Sequence, residues 1–268
     1  MRRPIALAAA VVALLLVALP ASAQDDDVRI HLIHGIPGID VDVWAGGEPV
    51  FEGFAFGDTQ DLSALAGTTL EAVEVRVAGT EDVAIDAGDV ALPASGNYTV
   101  IAHLGEDGTP TLGVFENDTS AIAAGQGRLT VRHTAAAPAV DVLAGGEPAF
   151  TNLANPDEAS ADLPAGTVSA SVVPTGATEP VVIGPADLAI DDGSSLIVYA
   201  VGSLDDESLT VLTESITGLG TAPNAVDTGN SPVDDGSPGQ MLPVVVIAAG
   251  FAMTAAGIAL SRRRRQHG

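Results

Sequence analysis

An internal repeat with an offset of 99 residues constrains the fold of this chain more than any other feature. Residues 34–51 read HGIPGIDVDVWAGGEPVF, and residues 133–150 read HTAAAPAVDVLAGGEPAF, with ten of the 18 aligned positions identical. A period near 100 residues is too long for a solenoid and matches the size of a whole domain. The repeat therefore predicts two tandem domains of one fold, at residues 28–118 and 127–216.

Each repeat consists of short β-rich runs separated by clusters of Gly, Pro, Asp and Ser. Val73, Val75 and Val77 alternate with Glu74 and Arg76, which is the period of a strand with one buried face. The pattern predicts seven strands in the first repeat, near residues 28–34, 40–45, 49–54, 69–78, 83–91, 97–104 and 111–116. We therefore predict an all-β protein with two tandem antiparallel β-sandwiches of immunoglobulin-like layout, and a small barrel is the alternative.

Both ends of the chain have the composition of targeting segments. Residues 1–23 combine two arginines, an apolar run and an Ala-Ser-Ala site before Gln24, which predicts a cleaved signal peptide, with uncleaved anchorage as the alternative. Residues 241–260 carry no charge and would form a helix about 30 Å long, the thickness of a bilayer core. Four arginines follow in the tail, 261–268, and predict that this tail is cytoplasmic.

These ends predict a single-pass cell-membrane protein whose N-terminal region lies outside the cell. A buried core helix is the alternative for residues 241–260. Residues 217–240 are rich in turn formers and poor in bulky apolar residues, so we expect a flexible stalk.

The charge balance excludes some classes of function. The chain has no cysteine, which excludes disulfides and thiol catalysis. Residues 24–240 contain all 35 acidic residues and only four arginines, a formal charge of −31. Because phosphate groups would be repelled, we expect no nucleic acid partner. Such a surface favours solubility and attracts cations.

The first repeat resembles a known family. A strand ends in His34, Val41-Asp42-Val43 follows a Pro-containing turn, and Gly46-Gly47 and Phe56-Gly57 come next. This order resembles the secreted bacterial and archaeal domain of unknown function 4397. The resemblance covers residues 28–118 and implies a cell-surface β-domain found in tandem. It implies no established reaction and no catalytic residues.

The second repeat, residues 127–216, resembles that family less closely. It departs where Asn155-Pro156 replaces the Phe-Gly pair and where Leu143 replaces Trp44. The second repeat keeps the signature residues His133, Pro138, Val140, Asp141, Val142, Gly145 and Gly146.

His34 and His133 occupy the same place in the two repeats, on the apolar parity of a strand end. We expect each imidazole to be buried and to hydrogen-bond the backbone of the next turn. A zinc site is the alternative, but His31 and His34 should point to opposite faces of their strand.

Asp42 and Asp141 also recur, each between two valines. We expect them to accept hydrogen bonds from backbone N–H groups near the Gly-Gly turns. Asp40 shares the parity of Asp42, so a hydrolase carboxylate pair is the alternative, although Ala139 replaces Asp40 in the second repeat.

Trp44, the only tryptophan, falls on the outward parity and could stack on a sugar or anchor a protein partner. Packing beneath a neighbouring loop is the alternative. With Asp40 and Asp42 it forms the candidate binding surface.

Acidic turns such as those at 106–110 and 204–208 could bind calcium weakly, but none has the ligand spacing of an EF-hand. We expect no cofactor. The sequence favours a non-enzymatic cell-surface protein whose two modules serve envelope organisation, adhesion or recognition of an envelope protein or polysaccharide. A calcium-dependent surface module is one alternative, and a hydrolase of envelope polymers is another.

Overall fold

The computed structural model describes residues 28–221, which fold into two units of eight strands each. The predicted signal peptide (1–23), membrane helix (241–260) and tail (261–268) lie outside the described residues. Within residues 28–221, no helix has the length and apolar character needed to cross a membrane.

The prediction of an all-β fold is confirmed, and the eight strands recur in the same order in both units. The first unit contains β1 (Arg29–His34), β2 (Val41–Ala45), β3 (Glu48–Phe54), β4 (Thr59–Asp61), β5 (Thr69–Val77), β6 (Val83–Ala91), β7 (Asn97–Leu104) and β8 (Pro110–Glu116). The second contains β9 (Gln126–His133), β10 (Val140–Ala144), β11 (Glu147–Leu153), β12 (Glu158–Pro164), β13 (Gly166–Pro174), β14 (Ile183–Ile190), β15 (Ser195–Val201) and β16 (Thr210–Ile216).

Each unit is built from two four-stranded sheets. The sheets of the first unit have the orders β4-β1-β7-β8 and β3-β2-β5-β6, and those of the second are β12-β9-β15-β16 and β11-β10-β13-β14. Apolar side chains from both sheets of a unit meet in one core, for example Leu32 and Val100 against Val41 and Val75. Each unit is therefore sandwich-like.

The strand order departs from the immunoglobulin-like layout that the sequence predicted. In that layout the first strand pairs with the second, whereas here β1 lies between β4 and β7 and runs parallel to β7. The sheets are therefore not purely antiparallel. Alternation reveals which face of a strand is buried but not which strand lies beside it, so the order could not be read from the pattern. The three-residue strand β4 was also missed.

The two units pack against each other through one sheet of each. Ile33, Ile101 and Phe115 project from the first unit into the same apolar cluster as Tyr199 and Leu212 of the second. The molecule thus has four sheets in layers, with an interior at the junction in addition to the core of each unit. The two central layers are the sheets that contain β1 and β9.

The repeated Gly-Gly pairs form the two-residue turns between β2 and β3 and between β10 and β11. Both glycines of each turn have positive φ, 60° and 80° at Gly46 and Gly47, and 61° and 89° at Gly145 and Gly146. Positive φ at both central positions defines a type I′ turn, whose twist matches that of the flanking strands. The repeat therefore preserves the geometry of this hairpin.

The packed body extends further than the sequence predicted. Residues 217–221 were expected to begin the stalk, yet the Leu219 N–H donates to the Gly193 carbonyl and Thr221 donates to Ile122. Ile122, in the linker between the units, is fully buried. The end of the second unit therefore pairs with the linker. The rest of the predicted stalk (217–240) lies outside the described residues.

Candidate functional site

The outer sheet of the first unit carries an aromatic ring stacked with a guanidinium group. Trp44 on β2 is half-buried, and Cζ of Arg76 on β5 lies 4.2 Å from its ring centroid. Nε and Nη2 of Arg76 donate to Oε2 of Glu74 at 2.8 and 2.5 Å. The Arg76 and Glu74 side chains are 22% and 29% exposed. We call Trp44, Glu74 and Arg76 the Trp44 platform.

At the matching positions of the second unit, two side chains are apolar and buried and the third is a half-buried serine. In the first unit, Trp44 lies opposite Glu74 on the neighbouring strand, and Asp42 lies opposite Arg76. In the second unit, Leu143 lies opposite Ser171, and Asp141 lies opposite Val173. Leu143 is 6% exposed and Val173 is inaccessible. The backbone register is therefore kept, while the aromatic and charged groups occur only in the first unit.

The polar contacts that the Trp44 platform can offer come from its charged members. The indole Nε1 is buried and has no hydrogen-bond partner among the described residues, so a ligand cannot reach it without displacing neighbours. Arg76 and Glu74 retain exposed surface beside the ring. An aromatic plane flanked by charge suits a flat ligand or an interfacial side chain.

Asp42, predicted as part of the binding surface, is used within the fold. It is 8% exposed, and its Oδ1 and Oδ2 accept hydrogen bonds from the Gly53 and Gly79 N–H groups at 2.7 and 2.9 Å. These donors, Gly79 first, lower the pKa of Asp42. Asp40 is exposed, so a partner could contact Asp40 but not the engaged carboxylate of Asp42.

Asp141 makes the corresponding contacts in the second unit. Its two oxygens accept from the Asn152 and Gly176 N–H groups, both at 2.8 Å. In each unit the carboxylate joins the bend in the third strand to the loop after the fifth strand. Hydrogen bonds of this kind explain why an aspartate recurs between two valines.

The repeated histidines tie strand ends to the turns that follow. The His34 Nε2 bonds the Ile39 carbonyl at 2.9 Å, and the His133 Nε2 bonds the Pro138 carbonyl at 3.1 Å. Both rings are buried, and burial lowers the pKa of each. His31 lies on the opposite face of β1 and contacts Glu214 of the second unit, so it does not converge with His34 on a metal.

A buried polar cluster crosses the junction between the units. Oε1 of Glu214 is 2.9 Å from Nδ1 of His31, and its Oε2 accepts hydrogen bonds from the hydroxyls of Thr99 and Tyr199 at 2.8 and 2.9 Å. Glu214 is only 4% exposed. Burial works to raise its pKa, but the hydrogen bonds from His31 and Thr99 outweigh burial and lower it. We call His31, Thr99, Tyr199 and Glu214 the junction cluster.

Arg132 continues this chain of contacts. Its Nη1 donates to the Tyr199 hydroxyl at 2.7 Å, its Nε donates to Glu158 at 2.7 Å, and its Nη2 donates to the Glu116 carbonyl at 3.2 Å. The guanidinium also lies 4.5 Å from the Phe115 ring centroid. Although Arg132 is only 1% exposed, each of its three side-chain nitrogens therefore has a hydrogen-bond partner.

The sequence analysis missed the junction cluster, because alternation identifies an outward face without showing that another unit covers it. Arg128, Thr130 and Arg132 alternate with Leu129 and Val131 as on a solvated strand. One signal was available, since two of the four arginines between residues 24 and 240 lie on this single strand.

The acidic turns form ordinary turn contacts. Asp107 accepts the Thr109 N–H, and Asp192 accepts the Gly125 N–H. In residues 28–221, no group of three or more His, Asp or Glu side chains is placed to hold a metal ion. Calcium binding stays a prediction without a site in this part of the chain.

Comparison with known proteins agrees with the resemblance seen in the first repeat. No curated protein matches the chain. The matched family is a domain of unknown function, DUF4397, whose model covers residues 28–143, which are the whole first unit, β9 and all of β10 except Ala144.

Proposed function

We propose that this protein is a non-enzymatic cell-surface protein that recognises an envelope protein or polysaccharide through the Trp44 platform. The observation that carries the proposal is the difference between two units of equal topology. One unit presents Trp44 and Arg76 on its outer sheet, where the other has buried Leu143 and Val173. Arg and Trp are the side chains that contribute most to binding at protein interfaces.

The geometry supports stacking more than catalysis at this surface. Arg76 already lies over the indole ring and is oriented by Glu74, so a partner meets an ordered platform and loses less side-chain entropy on binding. The nearby carboxylate of Asp42 has both oxygens on backbone donors. A general acid or base would need a free proton-transfer group within reach of a substrate.

Binding to isolated cell envelopes of the producing organism tests the proposal. The purified full-length chain is sedimented with envelope fragments, and the bound fraction is compared with that of Trp44→Leu, which installs the residue of the second unit. We expect the apparent affinity to fall about tenfold or more, the range for an interfacial tryptophan.

Val114→Leu is the control, because Val114 is 54% exposed on β8, which belongs to the other sheet of the first unit. It should bind like the wild type, and both variants should keep the wild-type melting temperature. Equal binding by Trp44→Leu and the wild type would contradict the role of the platform. Binding retained after digestion of envelope proteins, and lost after digestion of the polysaccharide, would identify the partner as polysaccharide.

The location at the cell surface is proposed from the sequence of the two ends. N-terminal sequencing of the mature protein should begin at Gln24, because the small-residue site precedes it. Protease added to intact cells should remove residues 28–221 and leave a membrane-bound C-terminal fragment. Full protection of this region in intact cells would argue against surface display.

A further inference from the structure

Two loops of the second unit are longer than their counterparts in the first, and they form the walls of one groove. Five residues separate β5 from β6 and five separate β7 from β8, whereas eight separate β13 from β14 and eight separate β15 from β16. The groove holds about 270 Å³ and is lined by Val181 and Val182 of one long loop and by Leu204, Glu207 and Leu209 of the other.

Two apolar side chains that line the groove are exposed to solvent. Val181 is 43% exposed and Leu204 is 39% exposed. Loops that carry extra residues on a fixed scaffold are common sites of recognition, and an apolar concavity with a polar rim is the usual form of a docking site.

The loops are held in place before any partner arrives. The Leu204 N–H donates to the Ala136 carbonyl at 3.0 Å, and Ser203 and Ser208 bond each other through the Ser203 N–H and the Ser208 hydroxyl at 2.9 Å. In the other loop, the Gly176 N–H donates to Asp141 at 2.8 Å. A preformed groove binds with little ordering cost.

Every charged side chain in the two loops that form the groove is acidic, and one of them, Glu207, lines the groove itself. The two loops contain four carboxylates and no basic residue, and all four acidic residues are exposed: Glu179, Asp205, Asp206 and Glu207. A partner that fills the apolar floor must therefore bring cations to the edges, because anionic flanks would be repelled.

From these observations we infer that the groove between residues 175–182 and 202–209 binds a polypeptide segment in which bulky apolar residues are flanked by arginine or lysine. This is a second recognition surface, on the unit that lacks the Trp44 platform, and it does not depend on the function proposed for that platform.

Titration with synthetic peptides tests the inference. The probe is Arg-Arg-Leu-Leu-Arg-Arg, and the comparison peptides have alanine in place of leucine or glutamate in place of arginine. Fluorescence anisotropy with the full-length chain should show saturable binding of the first peptide. We expect binding at least about tenfold weaker for the alanine peptide, and none for the glutamate peptide at ~1 mM.

Val181→Asp and Leu204→Asp separate groove binding from general attraction to an acidic protein. Each adds a negative charge and would strengthen a purely electrostatic association, whereas both should weaken groove binding by about tenfold. Val114→Asp is the matched control, since Val114 is 54% exposed in the first unit and lies outside the sheet that carries the Trp44 platform. The control should bind within about twofold of the wild type, and all three variants should melt at the wild-type temperature.

Equal affinity for the leucine and alanine peptides would overturn the inference, as would unchanged or stronger binding by Val181→Asp and Leu204→Asp. Failure of the leucine peptide to bind at ~1 mM would also overturn it. None of these results bears on Trp44, so the two recognition surfaces are tested separately.

Discussion

His31 and Glu214 are 183 residues apart in sequence, yet Nδ1 of one lies 2.9 Å from Oε1 of the other across the junction between the units. The hydrogen bond with Glu214 raises the pKa of His31, although burial opposes this effect. The pair therefore favours a protonated histidine beside an ionised glutamate. The pair lies beside the apolar cluster that the two units share, and it adds a polar link to that apolar contact.

Glu214→Gln should destabilise the protein and release His31 from its raised pKa. Gln keeps one oxygen acceptor but loses the charge that three donors share, so we expect a loss of about 1.5–3 kcal/mol in the free energy of unfolding. Urea denaturation gives that value, and an NMR titration should show the His31 pKa moving down from its raised value. Glu116→Gln, an exposed site on β8, is the control. Unchanged stability in Glu214→Gln would show that the pair is not formed.

Acid should weaken the fold through its buried neutral histidines. Burial lowers the pKa of His34, His103 and His133 from the ordinary value of 6.5. The unfolded chain therefore binds more protons as the pH falls below 6.5, and each histidine costs up to about 1.4 kcal/mol per pH unit until its folded pKa is reached. The free energy of unfolding, measured from pH 7 to pH 5, should decrease steadily.

His31 behaves in the opposite sense, because its pKa is raised in the folded protein. Its contribution to the free energy of unfolding is complete below pH 6.5, and it is lost as the pH rises through the folded pKa. It therefore does not offset the acid effect between pH 6.5 and pH 5. The depressed pKa of Glu214 changes the free energy of unfolding only below pH 4.5, the ordinary pKa of this group. His34→Gln should show a shallower pH dependence than the wild type. A stability that is constant from pH 7 to pH 5 would contradict the assignment of neutral, buried rings.

The junction should make the two units unfold together. Ile101 is inaccessible and belongs to the apolar cluster that the two units share, so Ile101→Ala should cost about 2–5 kcal/mol in the free energy of unfolding. Hydrogen exchange should show lower protection in strands of both units, including β15 and β16. Val50→Ala, at a 44% exposed site, should leave the hydrogen-exchange protection of both units unchanged. If Ile101→Ala lowers protection only in the first unit, the two units are energetically independent.

Asp42→Asn and Asp141→Asn should each lower the melting temperature by several degrees, because each amide loses one of two hydrogen bonds accepted from backbone N–H groups. Asp40→Asn is the matched control, because Asp40 lies two residues before Asp42 and its side chain is exposed. For Asp42, the stabilisation should be present above the ordinary pKa of 3.8 and lost as the pH falls through the depressed folded value. Equal melting temperatures in Asp40→Asn and Asp42→Asn would contradict the structural role.

The repeat and the alternation of apolar residues were enough to predict most strands of the first unit. Predicted bounds such as 83–91 and 97–104 coincide with β6 and β7. The histidine-to-turn contacts were also predictable, since His34 falls on the same parity as Ile30 and Leu32. Local periodicity is sufficient for features of this kind, which depend on one strand and its next turn.

Sheet order and the junction could not be predicted, because they depend on which surfaces meet. Arg132 and Glu214 have the alternation of solvated residues, and only the packing of the second unit on the first buries them. The Trp44 position was predicted, but the stacking of Arg76 on the ring depends on the register between β2 and β5. The groove in the second unit depends on two loop lengths that the aligned repeat does not explain.

The layered arrangement of the two central sheets also bears on how an interface of this type can evolve. Ile33 of the first unit occupies the place that Arg132 holds in the second, and Phe115 occupies the place of Glu214. The strand pairings that contain β7 and β15 establish this correspondence. In a symmetric dimer of identical chains, every residue appears on both sides of the axis, so a buried glutamate would bring a second one. Joining the two copies in one chain removes that requirement. A single carboxylate can then be buried among donors from both copies, and each outer face is free to diverge without disturbing the other.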